Sequence, residues 1–142
     1  MRSSALFSAG AILASSASAR CLPTTTPAIN GNFTVTWLGS YLNRPYVSFN
    51  VSAPENYVEG VHGFLNTCNG INLNSQEQPY TTCYNGTGYH LDASVAYDSS
   101  TAEYSVYLRH IQIGTETITV MGSSHYGVSP TVSVPVTSVT VS

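Results

Sequence analysis

The stretch from Tyr89 to Val120, YHLDASVAYDSSTAEYSVYLRHIQIGTETITV, alternates apolar and polar side chains over most of its length. Successive side chains of a β-strand point to opposite faces, so this pattern predicts strands with one dry and one wet face. Asp98-Ser99-Ser100 separates two such runs and favours a turn between them. In the first run, apolar and polar residues divide as follows: Tyr89, Leu91, Ala93, Val95 and Tyr97 against His90, Asp92, Ser94 and Asp98.

The rest of the chain repeats this two-residue period. No window of about twelve residues keeps apolar positions at helical spacing, which excludes long helices. Asn30-Gly31, Asn69-Gly70 and Asn85-Gly86 offer the left-handed backbone of tight turns. These signals predict an all-β fold, a single compact antiparallel β-barrel or sandwich of about 8–10 strands. The other predicted strands run through Phe33–Trp37, Val47–Val51, Tyr57–Cys68, Tyr80–Tyr84, Glu103–Ile113, Glu116–Met121 and Thr131–Val141.

The last predicted strand changes its alternation part-way along. Val132, Val134 and Val136 share a parity that Val139 and Val141 do not. A shift of parity within one strand indicates an inserted residue, so we predict a bulge or bend near Thr137. Pro135 lacks a backbone N–H and therefore places this strand at a sheet edge.

The N-terminus resembles an export signal. Arg2 precedes an apolar stretch, and Ala17-Ser18-Ala19 forms a small-x-small cleavage site. The apolar run is too short for a bilayer-spanning helix. We therefore predict a signal peptide over residues 1–19, a flexible leader over 20–31 and a β-barrel domain over 32–142 of a secreted, extracellular protein.

Charge is scarce in the chain. Four Arg and no Lys stand against seven Asp and Glu, which gives a formal net charge of −3. Nucleic acids and anionic membrane surfaces are bound through clustered cations, and this sequence contains no such cluster. These partners are not expected, and no cofactor motif is present.

Asn32, Asn50 and Asn85 each begin an Asn-x-Ser/Thr sequon. Each occurs at a strand entrance, on a polar strand face or at a turn, where a glycan would not disturb the core. We predict N-glycosylation at these positions, although the motif is short and individual sites can remain unmodified.

Cys68 and Cys83 enclose a polar loop, NGINLNSQEQPYTT. Three interpretations are a zinc site, a redox pair and a structural disulfide. Zinc requires about four ligands, and neither a Cys-x-x-Cys nor a His-x-x-x-His partner is present. A redox pair is typically Cys-x-x-Cys in a βαβ setting. Export to an oxidising compartment favours a Cys68–Cys83 disulfide.

Cys21 is left unpaired by this assignment. An odd cysteine in a secreted chain often pairs between molecules, so we predict an interchain disulfide that makes a covalent homodimer. A free or capped thiol is the alternative.

Several of these features together resemble a known family. They are the signal peptide, the leader cysteine, FTVTW in the first strand, SFNVSAP in the second, and two cysteines with YTTC at the second of them. The strand-turn-strand rhythm of residues 89–120 is similar too. Over roughly Phe33 to Val120 the chain resembles the fungal major-allergen family typified by the Alternaria alternata major allergen, whose second intrachain disulfide has no counterpart here.

The resemblance implies a secreted fungal β-barrel that dimerises through the leader cysteine. It also implies an allergen, elicitor or effector without assigned catalysis. Family members have been proposed to bind flavonoid-type phenolics at a dimer interface. The implied partners are therefore a host or apoplastic protein or a small phenolic ligand.

The residues themselves do not single out an active site. His90 and Asp92 share a strand face and would pair or bind an ion there, but a solvated polar face explains them equally simply. GSSHYG at residues 122–127 brings Ser and His together without a Gly-x-Ser-x-Gly elbow. His110, on a strand with two fairly apolar faces, is best interpreted as a partly buried, hydrogen-bonded histidine.

Tyrosine is the distinctive excess, with ten residues. Tyr80, Tyr84 and Tyr89 lie around the cysteine loop. They favour cross-strand packing or, if exposed together, an aromatic binding surface. We predict a non-catalytic binding protein; the alternatives are a small secreted carbohydrate-active or hydrolytic enzyme and a structural cell-wall or spore-coat protein.

Overall fold

A computed structural model describes residues 25–38, 45–74, 79–126 and 129–142. These residues form strands and connecting segments without any helix, which confirms the all-β prediction. The described part of the chain accordingly contains no helix that could cross a membrane. The strands are β1 (Phe33–Trp37), β2 (Tyr46–Ala53), β3 (Phe64–Asn74), β4 (Thr81–Asn85), β5 (Tyr89–Asp98), β6 (Glu103–Ile113), β7 (Thr117–Tyr126), β8 (Thr131–Val134) and β9 (Val136–Val141).

The strands form one barrel-like sheet in the order β8-β1-β2-β3-β5-β6-β7-β9, with β4 paired to β5 beside this path. Most neighbours are antiparallel, as predicted. The pairing of β3 with β5 is parallel and short, through Leu73↔Val95 and Asn74↔Ala96. The sheet is therefore mixed, because the chain inserts β4 between two strands that run in the same direction.

The C-terminal segment closes the barrel. Its first part, β8, pairs with β1, and its second part, β9, pairs with β7 at the opposite end of the strand order. Pro135 lies between the two parts, where the missing N–H costs no ladder hydrogen bond. Thr137 is the extra residue between Met121↔Ser138 and Gly122↔Val136, which confirms the predicted bulge.

The backbone comes unusually close at this β8–β9 junction (residues 134–136). A Cβ on Gly122 would lie 2.7 Å from Phe33 Cε2 and 2.8 Å from the Pro135 carbonyl oxygen. Phe33 itself is fully buried and pairs with Val134. The junction thus requires glycine at position 122.

Alternate residues of the strands fill the barrel interior, as the two-residue period predicts. Burial of aliphatic and aromatic side chains is the main stabilising contribution to such a fold. The fully buried core includes Phe33, Val35, Phe49, Val51, Leu91, Val95, Val106, Leu108, Val120 and Val134.

The segment of residues 54–63 corrects one prediction. A strand was expected from Tyr57, but β3 begins only at Phe64. Instead this end loop turns into the barrel and buries Tyr57, Val58 and Val61. Gln112 on β6 fixes it, because its amide donates to the Gly60 carbonyl and accepts from the His62 N–H.

The Asn-Gly pairs have different structures. Asn85-Gly86 forms the β4–β5 turn, with the Gly86 N–H donating to the Tyr89 carbonyl at 3.0 Å. Asn69-Gly70 was expected to be a turn but lies inside β3. There Gly70 has φ +64° and the pairing shifts between Val47 and Phe49, so the pair forms a bulge.

The predicted signal peptide and Cys21 lie outside the described residues. Of the predicted leader, residues 25–31 are described. Ile29 forms a bridge with Val58, and the N–H groups of Asn30 and Gly31 both donate to the Tyr57 carbonyl. This part of the chain is attached to the end loop.

Candidate functional site

The Cys68–Cys83 disulfide joins β3 to β4, as predicted. Its Cα atoms are 4.6 Å apart, which is the spacing of a non-hydrogen-bonded antiparallel pair. Among the described residues, no strand pairing joins β3 with β4. The bridge therefore connects the barrel across a seam (β3 facing β4) where a backbone ladder is missing.

The seam opens into a fork on β5. Thr81 of β4 pairs with Ala93, whereas Leu73 of β3 pairs with Val95, so the neighbour of β5 changes at Ser94. A cleft of about 230 Å³ lies at this fork. Its lining combines apolar and polar groups from both arms of the fork: Ile71, Asn72, Pro79, Tyr80, Thr81 and Ser94.

The Tyr80 ring, one wall of the cleft, is held in place by a cation–π contact. The Arg109 guanidinium lies over the Tyr80 ring, 4.4 Å from its centroid. Arg109 Nε and Nη2 also donate to Asp92 Oδ2 at 2.9 and 2.8 Å. Asp92 is buried and Arg109 half-exposed, so the pair anchors Tyr80 from a site just outside the cleft.

This arrangement corrects the expected wet face of β5. Asp92 is 6% exposed and Ser94 only 2% exposed, although both belong to the polar parity of the strand. Asp92 pairs with Arg109, its cross-strand partner, and not with His90. The Tyr80 ring lies beside this face, in contact with Arg109 and in the same cleft lining as Ser94.

The three predicted surface tyrosines divide into two groups. Tyr80 precedes β4 and lines the cleft, while Tyr84 lies at the other end of that strand. Tyr84 stacks on Tyr89 with ring centroids 4.6 Å apart. The Tyr89 hydroxyl, on β5, donates to Asn66 Oδ1 on β3, so the stacked tyrosines connect β4 to β3 through β5. Burial, and secondarily the neighbouring Tyr84, raises the pKa of Tyr89.

A histidine is buried behind this aromatic pair. His110 Nδ1 and the Tyr57 hydroxyl are hydrogen-bonded at 2.7 Å, as expected for a histidine on this strand. Phe64 and Tyr89 pack on its ring, with their ring centroids 4.5 and 5.1 Å from that of His110. Burial lowers the pKa of His110 to about 4 and raises that of Tyr57. The imidazole is therefore neutral at physiological pH.

Residues 122–126 of the GSSHYG segment form the end of β7 rather than a nucleophile-bearing turn, and residue 127 lies outside the described residues. His125 Nδ1 is 2.5 Å from the hydroxyl oxygen of Ser105 on β6, and both side chains are on the outer face. In the described ranges no group of three or more His, Cys, Asp or Glu is placed to hold a metal ion. Within the cleft lining itself, the titratable side chain is Tyr80.

The sequon asparagines occupy outer positions. Asn32 and Asn85 are exposed, and Asn50 is half-exposed on β2. Asn32 Nδ2 donates to Ser133 Oγ, and Asn50 Oδ1 accepts from Thr67 Oγ1. Glycosylation at the three sites remains a prediction.

Sequence reasoning identified Tyr80 but missed the other cleft residues. Ile71, Asn72 and Ser94 meet only because β3 runs parallel to β5 beside an inserted β4. The excess of tyrosine around the cysteine loop was the available signal. Comparisons with protein-family models, with curated proteins and with solved structures find no match to this chain.

Proposed function

We propose that this chain is a secreted, non-catalytic binding protein of the allergen or effector kind, and that it binds a small phenolic ligand in the cleft at the β5 fork. The observation that carries the proposal is the cleft itself, about 230 Å³ in volume, with Tyr80 in its wall. The resemblance to the fungal major-allergen family supports a phenolic ligand in general, because flavonoid-type phenolics have been proposed as ligands of that family.

The lining suits a single aromatic ring with a hydroxyl group. Ile71, Pro79 and the Tyr80 ring offer apolar and aromatic surface, and Asn72, Thr81 and Ser94 bring polar atoms to the same space. The volume is below the roughly 300–1,000 Å³ of sites for drug-sized ligands. A one-ring phenol is therefore favoured over a large polyphenol.

Arg109 prepares this site before any ligand arrives. By stacking on Tyr80 while donating to Asp92, it restricts the orientation of the ring. A preorganised aromatic wall loses less conformational entropy on binding. This preorganisation favours recognition by the cleft over recognition by the exposed end of β4.

The extracellular location rests on two supports. The N-terminal sequence has the features of an export signal, and the Cys68–Cys83 bridge is compatible with an oxidising compartment. A covalent homodimer through Cys21 remains part of the proposal. Intact mass with and without reductant, on protein from a secreting host, measures the cleavage, the glycans and the dimer together.

The binding test is titration calorimetry with coniferyl alcohol, a one-ring phenol, and quercetin, a larger flavonoid. We expect coniferyl alcohol to bind the wild type and Tyr80→Ala to weaken binding by about tenfold, as the loss of one aromatic contact implies. Tyr84→Ala, at the opposite end of β4, is the matched control and leaves affinity unchanged. Absence of binding, or a loss confined to Tyr84→Ala, contradicts the proposal.

A further inference from the structure

Tyr84 and Tyr89 flank the β4–β5 turn and form a face-to-face pair. Their ring centroids are 4.6 Å apart and the ring planes differ by 27°. Tyr84 pairs with Leu91, which shares the parity of Tyr89, so both tyrosines project from the same face of the hairpin as diagonal neighbours. The stacking follows from the register of the two strands.

The turn beneath the pair is built to accept this contact. The Gly86 N–H donates to the Tyr89 carbonyl at 3.0 Å, which brings the ends of the two strands together. A Cβ on Gly86 would lie 2.5 Å from both Cε1 and the hydroxyl oxygen of Tyr84. Glycine thus leaves the space that the Tyr84 ring occupies over the turn.

The two rings differ in their surroundings in a way that suits oxidation. Tyr84 is 38% exposed, so a soluble oxidant reaches it. Tyr89 is half-buried, and its hydroxyl donates to Asn66 Oδ1. An accessible phenol is therefore held against a second phenol whose position is fixed.

We propose that Tyr84 and Tyr89 form an oxidative cross-linking site, at which a peroxidase and hydrogen peroxide convert the pair to an intramolecular dityrosine. Each phenol loses one electron to the oxidant and one proton to water. The two radicals couple by a bond between one Cε carbon of each ring, and the two ring protons are then lost from these carbons as the phenolic hydroxyls are restored. Overall, two tyrosines and one hydrogen peroxide give one dityrosine and two waters.

The cross-link complements the disulfide. Cys68–Cys83 joins β4 to β3, and a Tyr84–Tyr89 bond would join β4 to β5. After oxidation, β4 would be covalently tied to both of its neighbours at the seam. This inference does not depend on the proposed phenolic ligand.

A second tyrosine pair provides an internal comparison. Tyr97 and Tyr104 are cross-strand partners on β5 and β6, with ring centroids 4.7 Å apart. Tyr104 is only 1% exposed. Proximity is nearly equal in the two pairs, so a selective reaction at Tyr84 and Tyr89 would show that access, as well as distance, decides the site.

The test treats the secreted protein with a haem peroxidase and hydrogen peroxide. We expect the monomer to gain dityrosine fluorescence, to lose the mass of two hydrogen atoms, and to do so at a rate independent of protein concentration. Tandem mass spectrometry should show backbone fragmentation suppressed between residues 84 and 89. Tyr84→Phe and Tyr89→Phe should each abolish the monomer signal, and Tyr97→Phe should retain it.

Tyr84→Phe removes the hydroxyl of a partly exposed side chain and preserves the ring, so unchanged thermal unfolding before oxidation establishes that the variant is folded. Two results overturn the proposal. One is a wild-type protein that forms dityrosine only between molecules, with a rate that rises with concentration. The other is a folded Tyr84→Phe variant that forms the intramolecular product as efficiently as the wild type.

Discussion

The β8–β9 junction and the β3–β4 seam both interrupt the regular course of the barrel, and they are closed by different means. At the junction the backbone itself passes from β1 to β7, through Pro135 and the bulge at Thr137. At the seam, the disulfide connects β3 and β4, which share no ladder in the described part of the chain, and the Tyr89–Asn66 hydrogen bond adds a side-chain link from β5 to β3. The cleft lies beside the seam.

These two regions show how a small barrel can close its sheet and still leave a cleft between strands. The backbone between β8 and β9 leaves no room at the junction, where even a methyl group on Gly122 would collide with Phe33 and the Pro135 carbonyl. Side-chain and covalent links keep β3 and β4 adjacent without filling the fork at Ser94. We therefore expect the seam to be more sensitive than the junction to redox state and pH.

The largest expected effect is loss of the disulfide. The loop it closes has a sequence separation of 15. Cys68→Ala combined with Cys83→Ala should lower the free energy of unfolding by about 3 kcal/mol, because the denatured chain regains loop entropy. Denaturant titration measures this, with Cys21→Ser as the control that keeps the bridge. An unchanged midpoint would mean that the seam does not need its cross-link.

Acid is expected to weaken the same side of the barrel. The pKa of His110 is about 4 in the folded protein, below its ordinary value of 6.5. As the pH falls, the His110 imidazole is therefore protonated in the unfolded chain before it is protonated in the folded protein. The free energy of unfolding decreases between about pH 6.5 and about pH 4. A pKa difference of this size between the folded and unfolded states corresponds to a loss of about 3 kcal/mol in the free energy of unfolding.

Unfolding titrations across that pH range test the effect. His110→Leu with Tyr57→Phe removes both partners of the buried hydrogen bond and should flatten the profile. His125→Gln, at an exposed histidine whose hydrogen-bond partner is the neutral Ser105 hydroxyl on the outer face, should keep the wild-type slope. A profile that remains steep in the double variant would assign the acid sensitivity to other groups.

At the junction, Gly122→Ala should cost about 2 kcal/mol, because the new methyl group overlaps the Phe33 ring and the Pro135 carbonyl. Gly88→Ala is the matched control, since a Cβ there meets no heavy atom within 4 Å. Thermal unfolding of the two variants compares them directly. Equal stabilities would show that the backbone and Phe33 can shift enough to accept a methyl group at position 122, despite the short distances there.

The smallest expected effect is that of Arg109→Lys. Lysine retains the charge but loses the planar stacking on Tyr80 and the pair of donors to Asp92. We expect a stability loss of about 1 kcal/mol and a weaker affinity for coniferyl alcohol. If the variant binds coniferyl alcohol with wild-type affinity, the contact of Arg109 with Tyr80 does not contribute to binding.

Local patterns predicted much of the fold. The alternation in β6 and the parity change near Thr137 depend only on neighbouring residues, and the structure confirms both. In β5 the alternation correctly predicted a strand, but both of its faces are buried from Leu91 to Ala96. The Asn69-Gly70 pair was ambiguous because a bulge and a turn both require a left-handed backbone. Its tertiary neighbours, not its sequence, decide between them.

The features that depend on distant contacts were not predictable. Tyr57 and Val58 read as a strand, but their burial comes from contacts with the barrel end and with residues 28–31. Ser94 has the parity of a solvent-exposed position, yet it is buried where β3 and β4 meet β5. Sequence therefore pointed to Tyr80 but not to the fork that makes it part of a cleft.

Residue-resolved amide hydrogen exchange, comparing the wild type with the Cys68→Ala, Cys83→Ala variant, tests most directly whether the bridge substitutes for a missing ladder. We predict that protection falls selectively in β4 and in the facing part of β5, residues 90–93, and persists in β1, β8 and β9. Equal loss of protection across the whole barrel, or none in β4, would contradict the account.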